Sequence, residues 1–282
     1  MKLFLLVTLT MTAFAANSVL NRIGVATFGM DPMDFAVIRV AAGATMLWAL
    51  VLPRQTARPT LHSARRWAGA SSLAVYMIGF SWAYISLGAG LGALILFGVL
   101  QVVVFGWAVV ERQAIPLQRW VGAGIALVGL AVLLWPSGQA AVPLVGAAAM
   151  TTAGIGWAIY TLLGRREPDA LGATAANFLL CLPICAIALL TERGGDVTTV
   201  GVLTAVVAGA VTSGMGYALW YRVLPELPTT IAGISQLSVP VIAVAAGTLF
   251  LSEPLTLRLV TAGALVLGGI ALSLIPRRKV IA

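Results

Sequence analysis

The chain has 282 residues, 60% of them apolar and only 9% charged, with a mean hydropathy of +1.02. A water-soluble domain of this length needs far more polar surface, so a soluble enzyme or binding module is excluded and an all-α integral membrane protein is indicated. The net charge of +8 does not imply nucleic acid, because the arginines stand in short clusters between apolar runs, the pattern of membrane topology.

The N-terminal MKLFLLVTLTMTAFAANS carries Lys2, an apolar core and an Ala13-Phe14-Ala15 step, which mimics a cleavable signal peptide. Apolar character continues through Val19, Leu20, Ile23 and Val25, long enough to span, so the segment is expected to be retained. Nine further apolar stretches follow, each able to cross a hydrocarbon core of about 30 Å as a helix. The predicted spans are 3–27, 34–52, 67–87, 90–110, 118–135, 143–164, 171–191, 199–221, 229–250 and 257–275. A barrel would instead need alternating segments of about ten residues. Cys181 and Cys185, one helical turn apart in an apolar run, read as small buried hydrophobes.

Arginine placement sets the orientation. With the N-terminus inside, the cytoplasmic segments carry Lys2, Arg54, Arg58, Arg65, Arg66, Arg112, Arg119, Arg165, Arg166, Arg222, Arg277, Arg278 and Lys279, against Arg193 and Arg258 outside. This bias predicts an inner-membrane protein with both termini cytoplasmic.

The chain also repeats itself. Glu111 to Pro136 reads ERQAIPLQRWVGAGIALVGLAVLLWP, and Glu253 to Pro276 reads EPLTLRLVTAGALVLGGIALSLIP. Gly129 falls on Gly269 and Gly124 on Ala264 at an offset of 140; Asn17 falls on Trp157 at the same offset, and AVIR ending at Arg39 falls on TAAN ending at Asn177 at 138. Two units, 1–136 and 143–282, are expected. Five spans per unit is an odd number, so the second unit lies inverted, with Glu111 inside and Glu253 outside.

Ten spans, two five-helix repeats and a repeated glutamate and proline loop before a Gly/Ala-rich helix resemble the drug/metabolite transporter superfamily, EamA type. In detail the chain looks like the YddG-type bacterial amino-acid exporters. The resemblance covers nearly the whole chain; the first loop departs from the usual Glu-Pro, having Glu111-Arg112 with Pro116 further on. It implies spans 1, 3, 4, 6, 8 and 9 around a central cavity.

Polar groups inside a bilayer cost free energy unless they face a cavity or a partner. Asn17 and Asn21 share a face of the first span, where an amide either binds substrate or joins helices. Trp67, Trp120, Trp135, Trp220 and Tyr221 near span ends read as interfacial anchors. Tyr76, Trp157, Tyr160 and Tyr217 sit deeper, and the resemblance directs them to the cavity. Phe97 and Gln101 on the fourth span, Ser213 on the eighth, and Ser235 and Gln236 before Pro240 on the ninth complete the candidate substrate site. A mid-span Pro240 either frees a carbonyl or only kinks the helix. Gly88, Gly90 and Gly92 read as a pliable outer turn and, with Pro240, as gate hinges. Arg22 and Arg39 are expected to snorkel or pair with Asp31 and Asp34, the alternative being that they bind a substrate carboxylate.

No phosphate-binding loop is present, and the one histidine, His62, lies in a basic loop, so ATP drive, histidine metal sites and His-dependent triads are not expected. No cofactor or metal is expected. The sequence reads as a secondary transporter exporting small zwitterionic metabolites, amino acids first, with a proton antiporter and a facilitator equally reasonable. The alternatives are other metabolites or drugs, a lipid flippase or a membrane enzyme. Expected partners are small-molecule amino acids or related metabolites and membrane lipid, not nucleic acid.

Overall fold

A computed structural model describes residues 1–54, 60–135, 142–165, 167–190, 196–227, 232 and 235–274. Ten helical rods account for nearly all of them, and no strand forms among the described residues. They are α1 (Lys2–Arg22, continued as a π-helical turn over Ile23–Thr27), α2 (Pro32–Val51), α3 (Ala64–Ala83), α4 (Ala89–Val110) and α5 (Leu117–Leu134). α6 (Leu144–Gly164), α7 (Ala170–Ile187), α8 (Thr199–Glu226), α9 (Ser238–Leu251) and α10 (Leu257–Leu274) follow. Ala208–Met215, in the middle of α8, is π-helical.

Eight of the ten are long and apolar enough to cross a membrane. The exceptions are α3, which carries Arg65 and Arg66 in its first turn and Ser71, Ser72 and Ser81 beyond, and α9, which has 14 residues. Leu127, Val128, Leu203, Leu249, Phe250 and Leu257 stand on the outside of the bundle, an arrangement that water would penalise and lipid accepts. The chain is a multi-pass membrane protein. The ninth predicted span is described only in part, and Arg58, Arg166, Arg193, Arg277, Arg278 and Lys279 lie outside the described residues.

Local chemistry sets the helix starts. Asp31 accepts from the backbone of Met33 and Asp34 ahead of Pro32, Ser63 caps α3 through Arg66, and Asp169 and Thr198 cap α7 and α8. At the other extreme, α4 and α9 both end beside a left-handed residue, Arg112 (φ 53°) and Ser252 (φ 54°). These positions are 140 residues apart, the offset of the sequence repeat. Glu253 Oε1 accepts from Ala89 N at 2.8 Å, capping the start of α4, and Glu111 terminates the same 22-residue helix. The two glutamates therefore sit at opposite ends of α4, roughly 33 Å apart at 1.5 Å per residue.

Two of the three candidate hinge glycines are not in a turn. Gly90 and Gly92 lie in the first turn of α4, where a Cβ would meet Val244 Cα at 2.7 Å and the Tyr84 ring at 2.6 Å. Gly88 is the N-cap, with the Glu253 carboxylate 2.8 Å from its Cβ position. All three are points of close packing, which contradicts the pliable turn expected of them. Pro240 stands in the first turn of α9, past a turn at Leu237 that separates it from the helical Ser235 and Gln236.

α5 crosses α10 backbone to backbone. Cβ atoms at Gly122 and Gly269 would each run into the other's carbonyl oxygen, Gly269 also abuts Ala126 N at 2.6 Å, and Gly129 abuts Val266 N at 2.8 Å. Ala126 to Gly269 and Gly129 to Val266 are reciprocal contacts at the 140 offset. Gly122→Val forces these helices apart and is expected to cost about 1–3 kcal/mol. Gly124→Ala, which meets nothing within 4 Å, should leave stability unchanged or raised. Thermal melts of the two variants in detergent check the contrast.

Candidate functional site

The centre of the bundle is built where small residues bring helices closest. On α8, a Cβ at Gly209 would strike the Arg39 carbonyl of α2, so glycine is what lets these two backbones touch. Four residues on, Ser213 Oγ then lies 3.2 Å from Arg39 Nε. On α6, Gly156 faces Ser72 O (2.7 Å from its Cβ position) and Tyr76 N (2.9 Å) of α3, which sets the next residue, Trp157, against the Tyr76 ring at 5.0 Å.

A continuous set of polar and aromatic side chains results. Asn17 Oδ1 accepts from Thr212 Oγ1 (2.6 Å) and Ser213 Oγ (3.3 Å), and its Nδ2 donates to the Thr212 carbonyl (3.3 Å). Arg39 Nη2 donates to the Tyr76 hydroxyl at 3.0 Å, and the guanidinium lies over the Tyr76 and Phe80 rings at 5.5 and 5.0 Å. Trp157 stacks against Tyr160 (5.5 Å, 25°) and Tyr217 (5.5 Å, 18°). Tyr160 donates to Thr174 Oγ1 at 3.1 Å, and Phe14 and Phe178 close the set edge-on against Tyr217. The widened π turn of α8 carries Thr212 and Ser213, and such turns recur at functional sites.

Of the sequence candidates, Asn17, Tyr76, Trp157, Tyr160, Ser213 and Tyr217 thus come together. Phe97 is buried in the same apolar core on α4, and Gln101 is half-buried one turn along. Ser235 and Gln236 are half-buried before α9, where the Ser235 carbonyl accepts from the Ser238 hydroxyl at 2.6 Å. Gly88, Gly90, Gly92 and Pro240 stand at the Glu253 end as helix-start and packing positions. Asn21 is fully buried, with both amide atoms unpartnered.

Three sequence expectations are corrected. Arg39 does not snorkel or pair with Asp31 or Asp34; it is wholly buried, held by hydroxyls and ring faces. The signal was its register: Arg39 follows Ala36 by three and precedes Gly43 by four, on the packed face of α2. Arg22 pairs with Glu253 (3.7 Å) and donates to the carbonyls of Tyr84 and Ile85. Trp220 is buried against Phe14, not an interfacial anchor, whereas Trp67, Trp120 and Trp135 are exposed as expected.

Ion pairs stand at both ends of the site. At the end opposite Glu253, Glu167 takes Arg65 Nε (3.0 Å) and Arg66 Nη2 (2.7 Å), and Arg65 also reaches Leu163 O. Beneath them a cleft lined by Tyr160, Asn177 and Tyr221 leaves about 10 Å³, room for one water at most.

Fold and site together define a polytopic helical protein with a buried polar and aromatic interior. Residues 144–275 match the EamA-like transporter family. An uncharacterized protein of Pseudomonas aeruginosa is 44% identical over 275 residues, 97% of this chain and 94% of its own. The threonine/homoserine exporter RhtA of Salmonella typhimurium is 34% identical over 141 residues, 47% of this chain and 46% of its own. A solved crystal structure superposes with a TM-score of 0.68 at 19% identity, covering 95% of this chain and 97% of that one, which shows a shared fold. The chain belongs to the EamA-like transporter family.

Glu167→Gln removes a buried carboxylate shared by the exposed Arg65 and the largely buried Arg66 and is expected to cost about 1–3 kcal/mol. Asp169→Asn breaks only the exposed pair with Arg54 (3.0 Å) and should cost under about 1 kcal/mol. Chemical or thermal unfolding of both variants in one detergent measures the difference.

Proposed function

We propose that this chain exports small zwitterionic metabolites, aromatic and other neutral amino acids foremost, as a secondary transporter working by alternating access. The observation that carries the reading is the interior set of Asn17, Tyr76, Trp157, Ser213 and Tyr217, contributed by α1, α3, α6 and α8, with ion pairs at either end. Amide and hydroxyl groups offer hydrogen bonds to a substrate's polar head, and the stacked rings offer a flat apolar wall to its side chain. Family membership supports transport over a flippase or a membrane enzyme, and the threonine/homoserine export of the partial relative RhtA supports amino acids.

The alternating step rests on two inverted units, 1–136 and 143–282. Glu111 and Glu253 at opposite ends of α4, the left-handed pair Arg112 and Ser252, and the reciprocal α5 and α10 contacts all favour that arrangement. Two similar halves packed in opposite senses have two nearly equivalent ways to tilt, one opening each side. The positive-inside bias supports an inner-membrane location with cytoplasmic termini.

Proteoliposomes loaded with labelled phenylalanine or methionine should lose label faster than protein-free vesicles; equal loss across an amino-acid panel removes the amino-acid reading. Trp157→Ala and Tyr76→Ala should each lower efflux at least about ten-fold while leaving membrane expression intact, since each removes a stacking or hydrogen-bonding partner. In a cysteine-free background, Gln113→Cys and Leu255→Cys should react with an impermeant thiol reagent from opposite sides of the bilayer. Labelling from one side would rule out the inverted architecture.

A further inference from the structure

We propose that Arg39 is the specificity-determining residue of this site, that it binds the carboxylate of the substrate, and that the carboxylate is obligatory for recognition while the ammonium is not. This rests on the transport reading above.

The observation is an uncompensated charge. Arg39 is the largest side chain among the fully buried ones, and none of the ion pairs among the described residues involves it. An ionised group in such surroundings costs several kcal/mol unless an opposite charge meets it. Its neighbours are neutral: Ser213 Oγ, the Tyr76 hydroxyl and the faces of Tyr76 and Phe80. These hold the guanidinium in place without cancelling its charge, and Nη1 has no hydrogen-bond partner among the described residues. With Nε and Nη2 each donating to one hydroxyl, the unused Nη1 and the second hydrogen of Nη2 form the fork that a carboxylate fills with two parallel bonds.

The other end of a zwitterion meets no such match. Asn17 Oδ1 and the Thr212 carbonyl offer neutral oxygens to an ammonium, and both already accept bonds within the protein. The fixed charge of the site is therefore positive, with no fixed negative charge beside it among the described residues. Removing a ligand's amine gives up hydrogen bonds charged on one side only, whereas capping its carboxylate gives up bonds charged on both sides and leaves Arg39 unmatched. A lone amine is repelled outright.

The test is a matched series on one carbon skeleton: phenylalanine, 3-phenylpropionate, phenylalaninamide and phenethylamine. Each is added to the purified full-length protein in detergent, and thermal stabilisation gives apparent affinity; each is also co-loaded as competitor in the phenylalanine efflux assay. Both acids should bind, and the amide and the amine should bind roughly ten- to hundred-fold more weakly. Arg39→Gln should abolish the preference for acid over amide, and Arg39→Lys should restore part of it. Amide or amine binding as tightly as acid, no response to either acid, or a discrimination that survives in Arg39→Gln overturns the proposal. Should Arg39→Gln fail to fold, the wild-type series decides alone. Acid binding without phenylalanine efflux removes the amino-acid reading and leaves the carboxylate assignment standing; efflux with acid and amide competing equally does the reverse.

Discussion

A guanidinium buried with no counter-ion among the described residues governs the interior of this protein. Arg39 is surrounded by hydroxyls and aromatic faces, each of which lowers the cost of its charge by a modest amount, and none of which removes it. The ring of Tyr76 therefore has two duties, donating its face and hydroxyl to Arg39 while packing on Trp157. Ser213 is similarly divided between Arg39 and Asn17. Because these side chains share partners across α1, α2, α3, α6 and α8, displacement of one helix is felt by the others.

What makes that crowding possible is backbone proximity. Lipid offers helices no hydrophobic reward for associating, so packing must come from close van der Waals contact, and close contact requires small residues. Gly209 against the Arg39 carbonyl and Gly156 against Tyr76 N are such contacts, and both lie beside residues of the site. The glycine that admits the neighbouring helix also fixes the height and azimuth of the functional side chain next to it. Packing and recognition are thus encoded by the same short stretches of sequence.

Much of this was legible beforehand. Unbroken apolar runs specify helices because lipid leaves the backbone no other partner, and each predicted span overlaps a described rod, eight of which are long and apolar enough to cross a membrane. Asn17, Tyr76, Trp157 and Tyr217 stood out because a polar atom within an apolar run demands a reason. Arg39 was misread because sequence gives depth along a helix more readily than direction around it. Its distance from Asp31 and Asp34 suggested pairing, whereas the approach of Gly209, 170 residues later, fixed its surroundings. Gly90 and Gly92 were misread for a related reason: composition suggests pliancy, but Val244 and Tyr84 occupy the space that a Cβ would need.

The two rims are unlike. At one, a carboxylate is clamped by two guanidiniums at 3.0 and 2.7 Å; at the other, Arg22 reaches one carboxylate at 3.7 Å, itself shared with a helix start, and two backbone carbonyls. On the proposed mechanism each side opens by parting a different set of charges. Duplication supplies matching halves, but the latches at their edges are drawn from different residues, so ionic strength bears on the two faces separately.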